Sequence, residues 1–297
     1  MGGGEEVGDI AGAVAGAGED RRNALTIDLE EYFHADNLKQ CWPPERWDQA
    51  PRRTRELVPR LLEVLAEASV TCTWFVLGWL AERDPELVQQ VARAGHEIGC
   101  HGYAHRLIYE QTPEEFAEDL ARATAAVEAA TGRRPRVFRA PSFSITQRSR
   151  WALETLAQAG YEVDSSIFPI ARDFYGIPDF PRGPVRLENG LIEFPLSVVE
   201  KGGRALPVAG GGYCRLLPNR LVPRLLRQVN QAGRPVVFYC HPWEFDLAEP
   251  PGRFTSPTKR FRHYVGRTSF LPLFRTLLRK MWWGTLSEVA EDYVSQK

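Results

Sequence analysis

Short apolar, strand-like runs alternate with amphipathic helical segments along most of the chain, and that alternation restricts it to a parallel α/β architecture in one domain. Ala24-Leu25-Thr26-Ile27 reads as a strand, a helix is predicted over 54–68, and Val70 to Leu77 is again rich in strand formers. A helix over 85–94 stops at Gly95, and a further strand leads into His101. The helix predicted over 112–131 opens on Thr-Pro-Glu-Glu, with proline at the first helical position and acids in the first turn. Strands at 136–138 and 161–163 bracket a helix over 146–159, after which 168–190, dense in Pro, Gly and aromatics, reads as a long irregular excursion. Short strands are expected at 192–195 and 206–208, with Gly210-Gly211-Gly212 marking a turn or a close backbone approach. A helix over 218–232 then precedes the clearest buried strand, 234–240, and the chain closes with a helix over 271–280, a strand at 284–286 and a short helix.

With 297 residues, 43% hydrophobic content and a net charge of -1, the chain is long enough for one large soluble domain, and its charge balance disfavours nucleic acid as a partner. Lys259, Arg260, Arg262 and Arg267 read as a solvated face. Five widely spaced cysteines without a CxxC suggest neither a disulfide framework nor a thiolate metal site, and are compatible with a reducing compartment. Residues 1–22, rich in Gly, Ala and Glu, are expected to form a disordered tail without the features of a signal peptide. No apolar run approaches the ~20 residues of a membrane span, so the expected location is cytoplasmic. The expected organisation is this tail, a barrel over 23–250 and an extension over 251–297 packed on it.

In parallel α/β folds the chemistry collects at the carboxyl ends of strands, and Asp28, His101, Arg139, Asp164 and His241 each stand directly after an apolar run. His101 and His105, four residues apart, have the spacing of a histidine pair that converges on a metal ion; the plainer alternative is one strand cap and one solvated ring. Asp28, Glu30 and Glu31 end the first strand, where desolvated acids require a cation or hydrogen-bond donors. On an extended backbone Asp28 and Glu30 share one side and Glu31 takes the other. His34, His96 and His263 read as structural or solvated, and Glu244 and Asp246 as supports for the last loop.

Asp28 to Phe33, His101-Gly-Tyr-Ala-His105, Arg139-Ala-Pro141, Asp164-Ser165 and Cys240-His241-Pro-Trp, in that order, resemble the five motifs of the NodB-type polysaccharide deacetylases, carbohydrate esterase family 4. Asp-Leu-Glu-Glu-Tyr-Phe, Phe174-Tyr-Gly-Ile-Pro, His241-Pro-Trp-Glu and Arg262-His-Tyr-Val-Gly are similar to the subfamily found in exopolysaccharide clusters linked to exosortase systems, and the match runs from about residue 24 to the end. The resemblance implies a deformed (β/α) barrel and a divalent ion, most often zinc, bound by one carboxylate and two histidines. Carried over, His101 and His105 are ligands and Asp28 is the general base. The family's metal carboxylate often follows the base directly, where this chain has Leu29; an Asp-x-Asp spacing in some branches and the face parity favour Glu30, with Glu31 in reserve. Arg139 would orient Asp28, the Ser142 N–H would face the oxyanion, and His241 would be the general acid, oriented by Asp164. The implied activity is removal of N-acetyl, alternatively O-acetyl, groups from an amino-sugar polymer or its precursor, with exopolysaccharide-assembly proteins as partners. Two other readings are a cyclic-amide or ureide hydrolase and an inactive carbohydrate-binding protein.

Overall fold

The computed structural model describes residues 21–171 and 175–296. The tail expected over 1–22 therefore falls almost wholly outside the described residues, as does Phe174.

The strands of the main sheet are β1 (Asn23–Leu29), β2 (Thr73–Val76), β3 (Glu97–Cys100), β4 (Val137–Phe138), β5 (Val163–Asp164), β6 (Val185–Arg186) and β7 (Ile192–Glu193), with a separate hairpin of β8 (Val198–Lys201) and β9 (Arg204–Pro207), and then β10 (Val237–Cys240) and β11 (Trp283–Gly284). The helices are α1 (Thr54–Glu67), α2 (Gly78–Arg83), α3 (Pro85–Arg93), α4 (Pro113–Thr131), α5 (Ala152–Gln158), α6 (Gly211–Cys214), α7 (Val222–Gln231), α8 (Pro257–Tyr264), α9 (Arg267–Lys280) and α10 (Leu286–Ser295). The sheet runs β10-β1-β2-β3-β4-β5-β7-β6, parallel except for β6, with β11 paired to the start of β1. It curls into an open, deformed (β/α) barrel.

Alternation along β1 accounts for two cores. Leu25, Ile27 and Leu29 join the layer between sheet and outer helices, whereas Ala24 belongs to an inner cluster with Val137, Val163, Ile192 and Val237. Thr26, Asp28 and Glu30 follow Ala24 in register, so polar groups stack on the inner side of the strand that lies between β10 and β2. The inner cluster also takes in Leu286, Val289 and Ala290 of α10. The last helix thus fills the barrel at the amino ends of the strands, where the Leu286 N–H donates to Thr73 at 2.7 Å. Within residues 251–296, β11 pairs beside Asn23 and Ala24, and Leu286, Val289 and Ala290 complete the inner cluster.

Several elements differ from expectation, each for a local reason. The helix predicted over 146–159 is a one-turn 3-10 helix at Gln147–Ser149 followed by α5, because Ser149 caps back on Thr146. The hairpin β8–β9 turns at Gly202 and Gly203, both at positive φ (58° and 71°), a conformation that favours glycine. α8, in the stretch read as a solvated basic face, is held by its Ser256 cap and buries only His263.

Candidate active site

The strand ends bring two groups of side chains together. In the first, Glu30 Oε1 lies 2.9 Å from His101 Nε2 and 3.0 Å from His105 Nε2, all three residues buried. His101 follows β3, and the chain then turns so sharply that His105 sits in the left-handed region at φ 51°. Glu31 faces the opposite way, accepting from the Arg53 N–H at 2.8 Å and the Thr54 hydroxyl at 2.6 Å at the start of α1. Parity along the strand thus separates the neighbouring acids, and Glu30 is the one that meets the histidines.

The donor set fits a divalent cation. His101 Nδ1 is 2.7 Å from the Arg139 carbonyl, which can only accept, so Nδ1 carries a proton and Nε2 is the ring atom turned toward a carboxylate oxygen. Two acceptors at that separation require a proton or a metal between them. Burial would raise the Glu30 pKa, but the charge of His105 and hydrogen bonds from both rings hold it well below the usual carboxylate range. Glu30, His101 and His105 are three ligands of the hard and borderline type that zinc accepts, and their donor atoms lie within 4.8 Å of one another.

The second group surrounds Asp28. Arg139, fully buried beneath the Phe75 ring, donates from Nη1 to Asp28 Oδ1 at 2.8 Å and to Thr26 Oγ1 at 2.7 Å, and is pinned by Ser165 through its carbonyl (3.1 Å) and hydroxyl (3.0 Å). His241, directly after β10, turns Nε2 toward Asp28 Oδ2 at 3.8 Å. Its side chain is 18% exposed, more than the others here, which puts this ring at the mouth of the site.

Asp164 is not where the motif reading placed it. It lies inside the barrel wall, bound by the Ser166 hydroxyl and opposite Glu193 on β7, and no hydrogen bond or ion pair links it to His241 among the described residues. Burial pushes Asp164 up to about 6 and Glu193 well above its ordinary range, so this pair holds a proton. His241 Nδ1 faces Glu244 Oε2 instead, at 3.2 Å, while the His241 backbone N–H donates to the same oxygen at 3.0 Å. Arg215 Nε donates to the other oxygen at 2.9 Å. A Cβ on Gly211 would collide with that carboxylate, so the triple glycine does mark a close approach, by a side chain rather than a ligand. Trp243 stacks between His241 and His263, with centroids 4.9 and 5.0 Å away.

Burial alone would lower the His241 pKa. The Glu244 hydrogen bond and the charges of Glu30, Glu244 and Asp28 outweigh it and raise the ring to about 9. Ser142 lies in a turn where it and Phe143 both have positive φ (52° and 54°), with its hydroxyl donating to Asp36 at 2.6 Å. The Ser142 N–H is at a position of a one-turn 3-10 helix that makes no intrahelical bond. Sequence reasoning missed Glu244 as a partner of His241, together with Arg215. The available signal was the three-residue spacing in His-Pro-Trp-Glu, where an acid caps back on the residue before a short helix.

A family profile described as "Polysaccharide deacetylase" matches residues 46–163, and one described as "Domain of unknown function (DUF3473)" matches 165–291. Among curated proteins, the chain is 30% identical over 100 residues to a peptidoglycan-N-acetylglucosamine deacetylase of Bacillus cereus, covering 33% of this chain and 36% of that protein. It is 33% identical over 103 residues to a chitooligosaccharide deacetylase of Bradyrhizobium, covering 34% of this chain and 46% of that protein. The chain thus aligns with less than half the length of these relatives. A crystal structure from Mycobacterium smegmatis, titled as a polysaccharide deacetylase, superposes over 93% of this chain and 92% of its own with a TM-score of 0.59 at 23% identity, which establishes a shared fold. The deacetylase profile on residues 46–163, with ordered strand-end motifs on both sides of it, shows a polysaccharide deacetylase domain of NodB type, carbohydrate esterase family 4, in this chain.

Proposed function

We propose that this protein is a metal-dependent deacetylase that hydrolyses N-acetyl groups of an amino-sugar polymer. The observation that carries the reading is the placement of Glu30, His101 and His105 within ligating distance of one another, beside an Asp28–Arg139 pair and an imidazole at the mouth. A divalent ion held by the three, zinc by the match of its preferences to one carboxylate and two imidazoles, would supply Lewis acidity toward a water and the acetyl carbonyl.

The remaining work falls to the chain's own groups. Asp28, aimed by Arg139, takes the proton of the attacking water. The Ser142 N–H, in its left-handed turn, donates to the oxygen on which negative charge develops. His241 gives its proton to the departing nitrogen, so that the C–N bond breaks to leave acetate and a free amine rather than an amide anion. The wording of the Asp28 to Phe33 and His241 to Glu244 segments supports an exopolysaccharide as the polymer.

Incubation of metal-stripped and zinc- or cobalt-reloaded protein with N-acetylated oligosaccharides, reading acetate release, tests the proposal. Activity is expected only after reloading; full turnover by the stripped protein would refute the metal requirement. Asp28→Asn should lower kcat by about 10²- to 10⁴-fold with metal content unchanged.

A further inference from the structure

Residues 201–282 carry fifteen Lys and Arg against three acids, a net charge of +12 in a chain whose total is -1. The three acids all point inward: Glu244 pairs with Arg215, Asp246 with Arg53 and Glu249 with Arg267, and none of their side chains is more than 3% exposed. The cations, by contrast, face solvent at Arg220, Arg224, Arg227, Arg260, Arg279 and Lys280. Every exposed large hydrophobic side chain among the described residues also falls in this stretch, from Leu206 to Trp282, with Leu216 50% and Leu221 37% exposed.

Arg220, Arg224, Arg227 and Lys280 line one cleft, and Leu216 and Leu221 lie in the segment that leads into it. Arg215 donates to the carbonyls of His263 (3.0 Å) and Val265 (2.7 Å), and Asn219 to that of Ser269 (3.0 Å), which lays the segment before α7 along the junction of α8 and α9. That cleft, of about 420 Å³, runs between α7 and α9, lined by Arg220, Arg224, Arg227 and Lys280. None of these four has an ion-pair partner among the described residues. Like charges gathered without counter-charge repel one another and do nothing for the fold, a cost that an anionic partner would offset.

The neighbouring leucines narrow the choice of partner. A soluble polyanion would engage the arginines and leave Leu216 and Leu221 in water, whereas a lipid surface takes both, phosphates against the cations and the acyl boundary against the leucines. No described helix is long and apolar enough to cross a membrane, so the contact would be peripheral. We propose that this face docks the protein on an anionic phospholipid surface, with Arg220, Arg224, Arg227 and Lys280 at the headgroups and Leu216 and Leu221 entering the interface. Arg215, next to Leu216, also holds Glu244 beside His241, so the docking face borders the candidate active site. The inference goes beyond the deacetylase reading and does not depend on it.

Co-sedimentation of the unaltered full chain with vesicles of phosphatidylcholine, with and without phosphatidylglycerol, tests it without any variant having to fold and without turnover. Binding is expected only to the anionic vesicles, and it should fade as salt is raised. R220Q/R224Q/R227Q/K280Q should weaken it about 600-fold, at roughly fivefold per charge, and L216S/L221S about tenfold. An unchanged circular dichroism spectrum would show that the variants are folded. Equal binding to both vesicle types, no binding to either, or anionic-vesicle binding by the four-charge variant equal to the parent's would overturn the proposal. So would undiminished vesicle binding by L216S/L221S with inorganic polyphosphate competing fully, which would make the face a polyanion site.

Discussion

His241 presents one ring nitrogen to each of two carboxylates, and the two contacts have different consequences. The Glu244 side fixes orientation and charge at 3.2 Å, while the Asp28 side, at 3.8 Å, leaves room for a substrate atom. A general acid must hold its proton at working pH, so activity falls as pH rises through its pKa. With the ring raised to about 9, the rate should stay level through neutrality and decline only in the alkaline range. Glu244→Gln keeps the shape and removes the charge, which should bring that alkaline limb to lower pH; a drop of about one pKa unit would cut kcat about tenfold at pH 10, above both values, and about twofold at pH 8. Asp164→Asn should leave the limb in place. A profile of kcat against pH by acetate release decides the matter; an unmoved limb in the Glu244 variant would return the role to Asp164. The contrast also shows what a sequence conveys at this scale. Glu30 was legible over Glu31 because the strand stays extended to its end and parity applies, whereas Glu244 lies in a 3-10 turn, where parity carries no information.

At the scale of the element, β1 and its neighbours turn single residues into shared constraints. Glu31, set opposite to Glu30 by the end of the strand, serves as a remote cap for α1, whose Arg53 and Thr54 N–H groups it accepts. Glu31→Ala should therefore cost about 1–3 kcal/mol of stability, the desolvation penalty of stranded donors, and leave bound zinc unchanged, whereas Glu30→Ala should lose the metal. Metal analysis beside urea denaturation separates the two effects, and loss of zinc from the Glu31 variant would reverse the assignment. On β5 and β7, register places Asp164 opposite Glu193 in a fully buried layer. Both pKa values are raised by burial, so folding favours the protonated pair; its contribution is complete below the unfolded carboxylate range, about pH 4, and is lost as pH climbs through about 6 and beyond. Glu193→Gln should flatten that decline and raise the melting temperature at pH 8 by a few degrees, roughly 2–4 °C for each kcal/mol recovered. A melting temperature that tracks pH as the parent's does would show that the pair is not the cause. Helices with a clear period and a stop signal, such as α3 and α4, were legible in the sequence. β8 and α8 were not, because neither has a buried periodic face: two of the four β8 residues and most of α8 face solvent.

Taken whole, the molecule does not divide where the two family profiles meet. Residues 46–163 supply His101, His105, Arg139 and Ser142; Asp28 and Glu30 precede them, and His241 and Glu244 lie in the stretch matched by DUF3473. That stretch also provides β10 and β11, which pair with β1 and so support the strand bearing Asp28. The alternation of strands and helices made a barrel legible, but it gave no hint that the last helix fills the lumen, since a helix that plugs an interior and one that packs outside carry the same amphipathic pattern. Deletion of 281–297 tests this interdependence. It removes β11 and takes Leu286, Val289 and Tyr293 out of the core, at roughly 1.5–3 kcal/mol for each of these large side chains, and it uncovers Ala24, Val163 and Val237 at the amino ends of the strands. Set against a typical total of about 5–15 kcal/mol, that loss should unfold the whole barrel. The truncated chain is expected to lack cooperative melting and to bind no zinc, although every candidate ligand is still present. A truncated protein that melted cooperatively and kept its metal would show that residues 23–280 fold without their plug.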